Sequence, residues 1–156
     1  MPRTPTSVST GVTARAQAVR FLARREYSAK ELRERLLGAG FADEEIKSAL
    51  QTLQAKDMQS DARFAEVYCR SKIAKGIGPA RIEYALRDHG ISRELIAELL
   101  AEQEPNWEQD ILQLLNRRLR GADLRDAKER AKQIRFLYGR GYSDAQIRAA
   151  MKAYLA

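Results

Sequence analysis

Along this chain apolar residues recur three and four positions apart, with charged and amide residues between them, and no alternating pattern appears. Such spacing lays one apolar stripe along a helix and fits no strand. Ala, Leu, Glu, Arg and Lys, all strong helix formers, fill most of the intervening positions. The pattern predicts an all-α chain with helices near 12–25, 29–38 and 43–55, then 60–74, 79–88 and 92–103, then 106–120, 124–138 and 143–155. The punctuation agrees. Ser28 opens "SAKE" and Ser143 opens "SDAQ", each a capping box in which Glu31 or Gln146 reaches back to the first turn. Asp43 and Ser92 are candidate caps for two further starts. Pro79 suits a first helical turn, where its missing N–H costs nothing.

Three segments share one pattern: "GFADEEIKSAL" (40–50), "GISRELIAELL" (90–100) and "GYSDAQIRAAM" (141–151). Each has an isoleucine six places after its glycine, Ile46, Ile96 or Ile147. Each then has a large apolar residue four places later. The spacings are 50 and 51 residues, and Leu36, Leu86 and Leu137 lie at matching places upstream. Each glycine is placed to end a helix in a left-handed conformation that other residues adopt at a cost. A fixed period of this size marks a helical repeat. The expected organisation is a tail at 1–11 and three three-helix repeats at 12–55, 56–104 and 105–156, stacked as an elongated, curved array. Each helix is too short to be stable alone, so packing must hold it.

The stretch "YCRSKIAKGIGPARIEYALRDHG" (68–90) combines basic residues, two glycines and a proline. It lacks the Lys-Ser/Thr that follows the last glycine of a phosphate-binding loop. "KGIG" therefore reads as a joint, in which Gly76 and Gly78 allow a tight corner, Lys75 flanks it and Pro79 opens the next helix. At 100° per residue, Ile82, Ala85, Leu86 and His89 share one face of that helix. Arg81, Tyr84 and Arg87 share the opposite one. An exposed arginine–tyrosine–arginine stripe suits a nucleic-acid backbone and a base. Against it stands a plainer arrangement, with Tyr84 packed on a neighbour and the arginines paired with Glu83 and Asp88.

Charge sharpens the picture. The chain has 28 basic and 21 acidic residues, a net of +7, which favours a polyanionic partner. The first repeat carries +2, the second −1 and the third +5, by count of its residues. The third repeat is thus the strongest electrostatic candidate. Its helix near 124–138 places Ala127, Ala131, Ile134 and Tyr138 on an expected apolar stripe, with Lys128, Lys132 and Arg135 on another face and Arg125 and Phe136 nearby. Arg117, Arg118 and Arg120 precede it. Phosphate contacts from such a cluster would be independent of sequence and sensitive to salt. A solvated helix face is the plainer alternative.

Enzyme chemistry finds little support. The single histidine, His89, lies on an apolar face near a helix end without a carboxylate or nucleophile beside it in pattern. The single cysteine, Cys69, lies mid-helix among Val67, Tyr68 and Ile73 and reads as a buried thiol. One His and one Cys make no usual zinc site, and acid pairs such as Glu44 and Glu45 read as helix starts. Trp107 is expected to pack between the second and third repeats, with a partner-binding anchor as the alternative. One cysteine, no apolar run of the roughly 18 residues a spanning helix needs, and no signal peptide point to a soluble, cytoplasmic protein.

"YCRSKIAKGIGPARIEYALRDHGIS", "REYSAKELRERLLGAGFADEEIKSALQTL" and "DARFAEVYCRSK" resemble the RecX family, bacterial regulators of the RecA recombinase. The resemblance covers roughly residues 14–155. It implies a non-enzymatic modulator that lies along the groove of the RecA–single-stranded DNA filament and suppresses ATP hydrolysis, strand exchange and repressor autocleavage. Arg70, Lys72, Lys75 and Arg81 fall on the family's basic signature, and Gly76, Gly78 and Pro79 on its corner. The expected partners are the RecA filament and single-stranded DNA, with double-stranded DNA a further candidate, no cofactor, and a monomer as the working form. The competing classes are a general or helix-turn-helix DNA-binding protein without RecA specificity, and a repeat scaffold that binds only protein.

Overall fold

The computed structural model describes residues 11–156. The tail expected at 1–11 lies, but for its last residue, outside the described residues. Among the described residues there are nine α-helices and no strand: α1 (Ala14–Leu22), α2 (Ala29–Gly38), α3 (Asp43–Ala55), α4 (Asp61–Ala74), α5 (Pro79–Asp88), α6 (Arg93–Gln103), α7 (Trp107–Leu119), α8 (Ala127–Gly139) and α9 (Asp144–Leu155). The chain divides into two compact units. One holds the chain up to Val67 together with Asp88–Ser92, and the other Tyr68–Arg87 and Arg93–Ala156.

The period of about 50 residues governs the packing. Leu36, Leu86 and Leu137 are fully buried, and Ile46, Ile96 and Ile147 nearly so. Gly40, Gly90 and Gly141 all take positive φ, between 83° and 96°, as left-handed helix ends require. The third marker of the pattern varies. Leu50 and Met151 are buried, but in the second triplet Leu99 takes the buried place and Leu100 is only half-buried.

Helix starts follow the caps in part. Ser143 and Gln146 form the full capping box of α9. At α2 the Ser28 hydroxyl accepts from the Glu31 N–H, but the Glu31 carboxylate turns outward to Arg25 at 2.8 Å instead of back to Ser28. Asp43 is not a cap: Ala42 holds that position, and Asp43, Glu44 and Glu45 sit in the first turn of α3, where carboxylates favour the positive end of the helix dipole. The first helix is shorter than expected, beginning at Ala14 behind a Thr13 cap and ending at Leu22. Helix α8 begins at Ala127, not 124, because Asp126 caps it and Leu124 is drawn into the core from the preceding turn.

In the first unit Ala14, Ala18, Leu32, Leu36, Ile46, Ala49 and Leu53 form one core. The turn between α3 and α4 is tied to the start of α2. The Ala29 N–H donates to Asp61 Oδ1 at 2.8 Å, and the buried Gln59 amide donates to the Tyr27 carbonyl and to Asp61. Lys30 Nζ donates to the Asp88 carbonyl at 2.7 Å within the same unit. In the second unit Ile111, Leu114, Leu115, Leu119, Leu124, Leu137, Ile147 and Met151 form the other core, with Trp107 packed on it and set edge-on to Tyr142.

Burial raises two acids in the second unit. The Cys69 thiol is pushed from 9.0 up to about 11, and the Tyr142 hydroxyl from 10.0 up to about 12, mainly by loss of solvent. The fold favours both protonated forms, so their contribution is complete below about pH 9 and is lost as pH rises through about 11 and about 12. Thermal melting should hold steady up to about pH 9 and fall above it. The fall between pH 9 and 11 should be shallower in Cys69→Ala than in the parent chain; identical slopes would remove Cys69 from the account.

Candidate nucleic-acid interface

The joint predicted at "KGIG" forms, and its glycines have a second role. Gly76 takes φ +76°, and Leu114 lies 2.7 Å from where its Cβ would stand. The Gly78 N–H donates to the Arg140 carbonyl at 2.7 Å, and the Ala80 N–H to the Gly141 carbonyl at 3.1 Å. A Cβ on Gly78 would stand 2.5 Å from the Tyr142 nitrogen. The corner is thus where the turn between α8 and α9 lies directly on the backbone that opens α5. Pro79 is the first residue of α5, as its lack of an N–H allows.

On α5 the sequence-predicted faces are the ones observed. Ile82 and Leu86 are fully buried, Ala85 and His89 half-buried, and Arg81, Tyr84 and Arg87 exposed, Tyr84 at 76%. Neither arginine pairs with Glu83 or Asp88. Arg81 donates to the Gly139 carbonyl at 3.4 Å. His89 is a packing residue, edge-on to Phe64 at 5.2 Å with Nδ1 3.5 Å from Glu31.

The other members of the middle run do not form one patch. Arg70 is exposed, Lys72 is half-buried over the Tyr68 ring, and Lys75 is exposed in the joint. Arg70 and Lys72 stand two residues apart on α4, and so on opposite sides of it. Cys69 between them is fully buried.

On α8 the expected apolar stripe is wrong. Ala127, Ala131 and Tyr138 are exposed, Ile134 is half-buried, and the inward positions are Gln133 and Leu137. Gln133 is only 2% exposed, and its amide is satisfied: Oε1 accepts from Arg118 Nε at 2.9 Å, and Nε2 donates to Glu129 at 2.9 Å. A buried amide with both ends bonded avoids the desolvation penalty that would exclude it from a core. The repeat itself carried the missed signal, since Gln133 stands where Leu32 and Ile82 are fully buried, at spacings of 50 and 51.

The outer face of α8 therefore holds Lys128, Lys132, Arg135 and Tyr138 together. All four are exposed, and none of the three cations has a carboxylate partner among the described residues. Tyr138 hydrogen-bonds Asp144, which raises its pKa and anchors the ring. Arg117 and Arg118 are exposed at the end of α7, but Arg118 is turned toward α8, its guanidinium 3.4 Å over the Phe136 ring. Among the described residues no group of His, Cys, Asp and Glu is arranged to hold a metal, and no helix is long and apolar enough to cross a membrane.

Fold and surface together define a class: triplets of short helices, with exposed cations on the outer faces of α5 and α8 that lack carboxylate partners among the described residues. Family models described as the first, second and third three-helix domains of RecX match residues 14–53, 60–100 and 108–151. The chain is 41% identical to "Regulatory protein RecX" of Chromohalobacter salexigens over 89% of its own length and 91% of that protein's. It is 37% identical to the Legionella pneumophila protein of the same description, over 86% and 90%. A crystal structure of RecX from Lactobacillus salivarius superposes with a TM-score of 0.74 at 19% identity, covering 90% of this chain and 93% of that one. A second RecX crystal structure gives 0.76 at 18%, covering 89% and 71%. The chain belongs to the RecX family.

Proposed function

We propose that this chain is a non-enzymatic regulator of RecA. Its three repeats, 12–55, 56–104 and 105–156, act as the modules that bind the RecA–single-stranded DNA filament along its groove. Bound there, the chain bridges RecA subunits and suppresses ATP hydrolysis, strand exchange and co-protease activity. The observation that carries this reading is the match of all three helix triplets, in order, to the three domains of one regulatory family. The exposed cations of α5 and α8 support it, because a filament presents phosphates and carboxylates that such cations attract over a distance. Arg87, Lys128, Lys132 and Arg135 supply most of that charge, and Arg70, Lys75 and Arg117 add to it.

Co-sedimentation tests the proposal. RecA filaments assembled on single-stranded DNA with a slowly hydrolysed ATP analogue should carry this chain into the pellet at fewer than one copy per RecA. RecA without DNA should carry much less. Equal recovery by filament and by a duplex restriction fragment would instead favour a general or helix-turn-helix DNA-binding protein, and no recovery by any DNA-containing species would favour a protein-only scaffold.

A further inference from the structure

The repeat period places Lys132, Arg135 and Tyr138 of α8 at the positions held by Arg81, Tyr84 and Arg87 of α5, each 51 residues earlier. All six are exposed. The two helices meet inside one compact unit, where the end of α8 touches the start of α5 through Gly139 O to Arg81, Arg140 O to Gly78 N–H and Gly141 O to Ala80 N–H. The two stripes therefore adjoin at that corner. Along α8, Lys128 to Tyr138 covers about 15 Å, and Arg81 to Arg87 covers about 9 Å of α5. Each stripe sets one tyrosine among cations. Tyr84 is the most exposed large hydrophobic side chain described, and Tyr138 is 47% exposed.

We infer that the outer faces of α5 and α8 form one track for single-stranded nucleic acid, in which Tyr84 and Tyr138 stack unpaired bases while Arg87, Lys128, Lys132 and Arg135 hold the phosphates. The chemistry selects this ligand. Cations left without carboxylate partners call for a polyanion. Exposed aromatic faces among them call for a polyanion whose bases are free to stack, which a duplex does not offer. The track stops short of the first triplet. There the same positions are Glu31, Glu34 and Leu37, none of them a cation, and the Glu31 carboxylate is already paired with Arg25 at 2.8 Å. The inference rests on the proposed function's assignment of these cations to the filament, and names which part of the filament they meet.

Fluorescence anisotropy of the full chain with a labelled oligothymidine of about 20 nucleotides, longer than the roughly 4–16 nucleotides such grooves cover, tests it. A duplex hairpin is the comparison. Tyr84→Ala should weaken oligothymidine binding roughly five- to a hundred-fold and leave the slope against salt unchanged. Its hairpin binding should barely move. Arg87→Ala should flatten the slope of log affinity against log salt by about 0.7. Melting of both variants should match the parent, since neither side chain is buried. Parental affinity in Tyr84→Ala, equal losses on hairpin and oligothymidine, or no oligothymidine binding by the parent chain would each overturn the inference. A chain that pellets with the filament but ignores oligothymidine sinks the track alone. A chain that holds oligothymidine through Tyr84 but does not pellet with the filament sinks the RecA reading alone.

Discussion

Gly141→Ala should destabilise the second compact unit by roughly 3–5 kcal/mol, from backbone strain and overpacking together. In a chain of this size that lowers the melting temperature by about 10 °C or more. Two costs combine. Gly141 sits at φ +96°, where a Cβ is strained. Its Cβ would also stand 2.5 Å from Arg81 Cβ and 2.7 Å from Arg81 N. The Arg81 nitrogen belongs to the α5 backbone and cannot rotate away. Gly121→Ala is the control, because Gly121 has nearly the same φ, +95°, with nothing within 4 Å of its Cβ. The difference between the two isolates the contact between α5 and the turn after α8. Gly78→Ala approaches the same contact from the other side. Trp107 reports the loss directly, as the only tryptophan in the chain and a neighbour of Tyr142. If Gly141→Ala melts no lower than Gly121→Ala, the close backbone approach does not hold the unit together.

Reversing Lys128, Lys132 and Arg135 together to Glu should abolish regulation of RecA while leaving the fold intact. The three side chains are exposed and make no ion pair that the fold would lose. The change takes the net charge from +7 to +1, two units for each residue. Losing three phosphate contacts at physiological salt costs on the order of fifty-fold in affinity for a single strand, from counterion release alone. Repulsion by the three new carboxylates adds to that. Circular dichroism and melting should stay close to the parent. A variant that folds and still regulates RecA at the parent's ratio would remove the α8 face from the mechanism.

The repeat made much of this fold legible. Leu36, Leu86 and Leu137 and the three glycines after them recur at one spacing because each triplet must solve the same packing problem. The α5 faces were equally legible, since Ile82 and Leu86 against Arg81, Tyr84 and Arg87 leave one way to turn the helix. Helix α8 was misread for a physical reason. Hydrophobic periodicity assigns a glutamine outward, and only the partners Arg118 and Glu129, one of them on another helix, make Gln133 a core residue. That error carried Tyr138 from the surface into a false core and hid its equivalence to Arg87. Arg118 was read as a free cation, although its place over Phe136 depends on how α7 meets α8. The sequence shows Gly78 as part of a tight corner but not what lies against it, because a near approach of two backbones 63 residues apart leaves no local trace.

The most direct measurement is ATP hydrolysis by RecA on single-stranded DNA, titrated with the parent chain and with the triple Glu variant. The account predicts that the parent suppresses hydrolysis at fewer than one copy per RecA, and that the variant does not at the same ratio. Hydrolysis unchanged by the parent chain, while it still binds single-stranded DNA in a salt-sensitive way, would contradict the account and leave a nucleic-acid binder with the fold of the family.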